Sequence, residues 1–186
     1  MGVNLTKEAI VTTALNILDS YGLQDVSMRR IASTLGVQPS ALYWHFASKQ
    51  DLLAGIADAI LADLPPYSGG DLTRLPLWAA RLHGLLLSHR DGAELVWSVL
   101  AIRDWEGGIG YQVEKGLLES GLTPQMARAG AQGFLHLVLG HAFDEDQRNQ
   151  AVRLKVIPTP GSPDSAKVLD DAVAIFVAGL EANRTC

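Results

Sequence analysis

Cysteine is almost absent: of 186 residues only Cys186 carries a thiol. No disulfide can close within the chain, and a reducing compartment is expected. Long apolar runs are missing too. The longest, Phe134–Phe143, is interrupted by His136 and His141 and is too short to span a bilayer, so no membrane partner is expected. The opening residues, Met1–Ile10, carry neither a charged n-region nor an apolar h-region, and no secretory signal is read there. The expectation is a cytoplasmic protein. Signatures of catalysis are also lacking. There is no glycine-rich phosphate loop, nucleophile elbow or zinc motif, and nothing pairs with Cys186. His136 and His141 stand five apart, not the three or four that share a helical face, and no Cys pair or His–Glu partner is counted at ligand spacing. The reading is a non-enzyme with no catalytic residue, no cofactor and no metal.

An excess of basic charge is missing as well, since the net charge is −5. That total is unevenly spread. Residues 1–50 hold four basic and three acidic side chains, net +1, while the other 136 hold eleven and seventeen, net −6. DNA binding needs local phosphate contacts rather than a basic protein overall, so the first fifty residues stay open to it. With 48% hydrophobic and 19% charged residues, the chain reads as globular, with material for one or two small domains.

What the chain does have is helical periodicity from end to end, and no strand pattern. Ile10, Ala14, Ile17, Leu18 and Tyr21 recur at three- and four-residue steps, predicting an amphipathic helix capped by Thr6 and stopped at Gly22. Ser27 caps a second, with Met28, Ile31, Ala32 and Leu35 inward. Ser48-Lys49-Gln50-Asp51 resembles a capping box. It opens a helix carrying Leu52, Ile56, Ile60 and Leu64, ended by Pro65-Pro66. Further helices are expected through Trp78 to about His89, from Asp91 to about Arg103, over 111–119, from Thr123-Pro124 to about Phe143, and over 165–183. Asp144–Pro163 reads as a mobile loop, with Asp144-Glu145-Asp146 a solvated helix end. The small residues Ala127, Gly130, Ala131, Gly133 and Gly140 predict close helix approach. The last two long helices are too apolar for a lone surface, which predicts a four-helix interface between two copies.

The most informative stretch is Ser27–Lys49. Ala32 and Gly36 are four apart, Val37 follows, and Leu42 falls six after Gly36, the spacing of a helix-turn-helix. The second helix then presents Gln38, Pro39, Ser40, Ala41, Tyr43, Trp44 and His45, and packing alone explains an exposed Tyr-Trp-His run poorly.

Gly36-Val37, Ala41-Leu42-Tyr43-Trp44-His45-Phe46, Ser48-Lys49 and Leu52-Leu53 together resemble the DNA-binding motif of the TetR family of bacterial repressors, over roughly residues 6–64. More narrowly, Leu87–Ala93, the segment around His136 and Gly140, and Gly179-Leu180-Glu181 resemble the regulatory domain of the tetracycline-responsive members. The resemblance implies an all-α homodimer. A three-helix DNA-binding domain (1–49) and a connecting helix (50–64) would precede a ligand-binding and dimerisation domain (65–186). It would repress by binding a palindromic double-stranded DNA operator and leave when a small-molecule effector binds. Carried over by position, Arg29, Gln38, Ser40, Ala41, Tyr43, Trp44, His45 and Lys49 face DNA, and Pro39 sets the start of the recognition helix. The chemistry fits: Arg29 suits guanine or phosphate, Gln38 adenine and Ala41 a thymine methyl, whereas Tyr43, His45 and Lys49 suit phosphates.

At the positions where the tetracycline-responsive members use a metal-bearing histidine, an asparagine and a phenylalanine, this chain has Val96, Trp78 and Leu82. A largely apolar or aromatic effector is therefore expected, held by Trp78, Leu82, Val96, Trp97, Trp105 and His136. Each tryptophan is open to a core reading, and His136 equally to that of a satisfied core histidine. His89-Arg90-Asp91-Gly92 reads either as a hinge acting on the connecting helix or as a helix stop followed by an Asp cap.

Overall fold

Thr6 opens the first helix, α1 (Lys7–Tyr21), by accepting a hydrogen bond from the Ala9 amide at 3.2 Å. In the same way Ser27 caps α2 (Met28–Leu35) through the Arg30 amide, and Ser48 caps α4 (Lys49–Ile60) through the Asp51 amide. Each supplies an acceptor to an amide that has no partner within its helix. Between them, α3 (Pro39–Tyr43) starts on Pro39, where the missing N–H costs nothing. The structure, a computed structural model, describes residues 5–104, 106–158 and 165–184. Among these there is no strand, and no helix is long and apolar enough to cross a membrane.

The turn from α2 to α3 depends on Gly36, whose φ of 69° is the left-handed conformation that favours glycine. Ile10, Leu18, Ile31, Leu42, Leu52 and Ile56 are all fully buried, closing α1–α4 around one small core. The result is a helix-turn-helix whose α3 rests on a single buried residue, Leu42. α4 stops at Ile60 rather than at Leu64. A turn in which the Leu64 amide bonds Leu61 O at 2.9 Å takes over, since a residue preceding proline is driven out of the helical region.

The second half comprises α5 (Leu75–Leu87), α6 (Gly92–Ile102), α7 (Ile109–Glu119), α8 (Pro124–Arg153) and α9 (Ser165–Ala182). α4 packs on both α1 and α6, and α5 lies against α6, α8 and α9. Trp78 and Phe134 lie in the core of this half and the half-buried Phe176 packs against them, with centroids 5.9 and 6.0 Å apart along the row.

One expectation fails here. α8 does not end at Phe143 but runs 30 residues to Arg153, roughly 45 Å at helical rise. Asp144–Arg153 is helix rather than loop, and Asp146 is buried rather than solvated. No glycine or proline interrupts 144–153, and Gln150, four residues on, donates to Asp146 Oδ2 at 3.2 Å. The polar pattern that suggested a loop is a helix whose acidic residue turns inward. Residues 159–164 of the expected loop lie outside the described residues, as does Cys186.

Candidate nucleic-acid interface and effector cavity

Arg29, Gln38, Pro39, Ser40, Tyr43, Trp44 and Lys49 are exposed, and Ala41 and His45 half-exposed, around α3 and the start of α4. Trp44 is 90% exposed and Tyr43 53%. Neither contributes to the core, so a solvated indole and phenol stand beside a helix too short to need them for packing. Arg29 and its neighbour Arg30 are treated differently. Arg30 pairs with Asp25 and covers the Tyr21 ring at 3.9 Å, which fixes it against the domain, whereas Arg29 projects from the exposed face of α2. Lys7 sits 5.6 Å over the Phe46 ring, tying α1 to the residues after α3.

The expected effector residues fall into three places. Trp97 on α6 and His136 on α8 come together, their rings parallel within 7° at 6.0 Å. They line one cavity of about 280 Å³ with Leu100, Gln132, Leu135 and Leu139, and Arg103 and Arg128 at its edge. Those two arginines are engaged by carboxylates, Arg103 with Asp58 at 2.6 and 2.8 Å and Arg128 with Glu114 at 3.0 Å. Trp78 is buried elsewhere. Its indole donates to Pro65 O at 2.8 Å and its ring meets Tyr67 edge-on at 6.2 Å, and it lines a separate hollow with Tyr67, Leu77, Arg74 and Arg81. Leu82 and Val96 are wholly buried in the helical core. Trp105 lies outside the described residues.

The segment before α6 connects the two halves, and its hydrogen bonds run to the end of α1 rather than to α4. Asp91 Oδ2 accepts from the Leu23 amide at 2.7 Å. His89 Nδ1 lies 3.0 Å from both Asp19 oxygens, and the Arg90 amide donates to Asp19 at 3.2 Å. Behind Asp91, the Gln150 amide group donates to both Asp91 and Asp146. Burial holds the Asp146 carboxyl above the usual carboxylate range, only partly offset by its hydrogen bond from Gln150. α8, Asp91 and the end of α1 thus form one connected polar path. Sequence reading missed it because it ended α8 ten residues too early.

A second cluster was also missed. His141 and Glu145 are four apart on α8 and share a face, and His83 reaches them from α5. The three offer ligand atoms within 4.8 Å of one another. With α8 expected to end near Phe143, Glu145 falls beyond the helix and its pairing with His141 is not visible in the sequence.

The family model described as bacterial regulatory proteins, tetR family, matches residues 10–56. The chain is 37% identical over 102 residues to the Escherichia coli tetracycline repressor protein class C, which is 49% of this chain but only 44% of that repressor. The match to the Escherichia coli class E repressor is 30% over 160 residues, covering 82% of this chain and 74% of that protein. Among solved structures, Mycobacterium smegmatis BioQ superposes with a TM-score of 0.87 at 33% identity, over 97% of this chain and 99% of that one. BioQ with its double-stranded DNA operator gives 0.70 at 34% identity, over 92% and 99%.

Proposed function

Because this chain belongs to the tetR family of bacterial regulatory proteins, we propose that it is a cytoplasmic transcriptional repressor that binds a palindromic operator as a homodimer and is released by a small-molecule effector. Residues 1–49 form the reading head, α4 the connector and 65–186 the sensor and dimer domain. It performs no catalysis and carries out its function by binding alone. The observation that carries the reading is the exposed set around α3. Tyr43, Trp44 and Lys49 lie beside Gln38, Ser40 and Ala41 on a helix presented by a glycine turn, suited to phosphate clamps flanking base contacts. BioQ, similar in fold at 34% identity, has been solved on an operator.

The cavity between α6 and α8 is the effector site of this proposal. Leucine walls and the stacked Trp97 and His136 suit a small aromatic compound, and Gln132, Arg103 and Arg128 in the same lining suit polar groups carried on it. At about 280 Å³ it stands at the lower edge of ligand-sized cavities. Filling it moves α8 relative to α6, and the path through Gln150 and Asp91 carries that movement to α1 and the reading head. Effector and operator then weaken one another by the same factor.

Selection of bound sequences from a random DNA library, at two salt concentrations, tests the proposal. A palindrome with half-sites about 34–36 Å apart and salt-dependent affinity is expected. Recovery of no motif, with no binding even at low salt, would reject it.

A further inference from the structure

We propose that His83, His141 and Glu145 form a binding site for a divalent transition-metal ion of the zinc type, clamping α5 to α8 in the sensor half. The site is independent of the DNA reading, for it rests on residues that touch neither the recognition helix nor the cavity beside His136.

Four observations support it. First, the ligand set is right. Two imidazoles and a carboxylate are a donor combination that zinc accepts, with a fourth position left for water or another ligand. Second, the spacing is right. Donor atoms around a tetrahedral ion held at about 2.0–2.1 Å stand about 3.4 Å apart, and here all three lie within 4.8 Å, so small side-chain rotations close the site. Third, His83 Nε2 is buried and makes no hydrogen bond, although Glu145 Oε2 is 3.2 Å away. The side chain is only 12% exposed. A cation between this buried nitrogen and the carboxylate would give both a partner. Fourth, the other two ligands are already oriented. His141 Nε2 is 2.9 Å from Ser165 O and Oγ, and Ser165 Oγ donates to Glu145 Oε2 at 2.6 Å. Outer hydrogen bonds hold metal ligands in place when they are made through the ring nitrogen that does not ligate, so His141 would bind the ion through Nδ1.

A bound ion would cross-link α5, which packs on α6 and α9, to the long helix α8. It would therefore bear on the same helix whose far end holds Gln150 against Asp91.

The full chain, prepared without metal-affinity steps and stripped with a chelator, is titrated with Zn²⁺ by calorimetry and with Co²⁺ by visible absorption. One ion per chain is expected, bound at least tenfold more weakly by His83→Gln and by Glu145→Gln but normally by His136→Gln. Zn²⁺ is expected to raise the Tm of the wild type and of His136→Gln, and to leave the two site variants unmoved. Circular dichroism establishes that each variant is folded. Should either site variant fail to fold, His141→Gln replaces it. No binding at micromolar Zn²⁺, or equal binding by wild type and site variants, overturns the assignment.

Discussion

Trp44 leaves nine-tenths of its surface in solvent, and no packing argument requires an indole there. In the proposed reading head its neighbours divide by chemistry into phosphate and base contacts, and substitution should separate the two groups. Lys49→Ala is expected to weaken binding to all sequences alike and to lower the slope of log affinity against log salt by about one. Arg29→Ala is expected to cost about 1–3 kcal/mol and to relax preference at one base pair. Fluorescence anisotropy with the selected operator and single-base variants, across a salt series, reads both effects. Identical losses and slopes for the two variants would remove the distinction. Arg30, pinned by Asp25 and Tyr21, belongs to neither group.

Asp146 makes a different prediction at the same scale. Its folded-state pKa is raised, chiefly by burial, so the fold favours the protonated form. Stability is then greatest below the unfolded value and falls as pH rises through the folded one. Asp146→Asn, uncharged throughout, should melt above the wild type at neutral pH and lose that advantage in acid. Thermal unfolding over a pH series checks this, and parallel curves for the two proteins would refute it.

Among the elements, α8 contains the largest discrepancy between pattern and structure. Acidic residues from Asp144 onward suggest solvent and a helix end, but one of them is buried and bonded by Gln150, and the helix runs on to Arg153. Periodicity identifies an apolar stripe well and an inward-facing acid badly, because only the tertiary partner distinguishes the latter from a surface residue. Asp91 poses the same difficulty. It holds a left-handed φ of 56°, and hydrogen bonds to Leu23 and Gln150 offset that cost. Asp91→Gly removes the bonds and the strain together, whereas Asp91→Ala removes the bonds and keeps the strain. Both are expected to destabilise, Asp91→Ala by about 1–2 kcal/mol more. Urea unfolding gives the order, and Asp91→Ala equal to or above Asp91→Gly would show that the bonds outweigh nothing.

At the scale of the molecule, α9 presents Val168, Ala172, Ile175 and Gly179 along one side, with Ile175 75% exposed. Their three- and four-residue spacing makes one apolar stripe, continuous enough to need covering. In the proposed homodimer a second copy covers it. Ile175→Glu is then expected to halve the mass seen by light scattering, leave the helical content unchanged and lower operator affinity at least tenfold. A variant that stays dimeric would move the interface elsewhere.

The helix-turn-helix was readable residue by residue because its parts are close in the chain. Caps at Thr6, Ser27 and Ser48, the glycine at 36 and the apolar steps of α1–α4 act within one or two turns of where they stand. The all-α class follows from the same local periodicity. The sensor half was legible only as a set of helices. Which cavity each of Trp78 and Trp97 lines, the bond from Asp91 to an amide 68 residues away, and the meeting of His83 with His141 and Glu145 all depend on how the helices pack. Helical spacing states which face of a helix is buried but not which distant side chain it is buried against. Folding alone supplies that pairing.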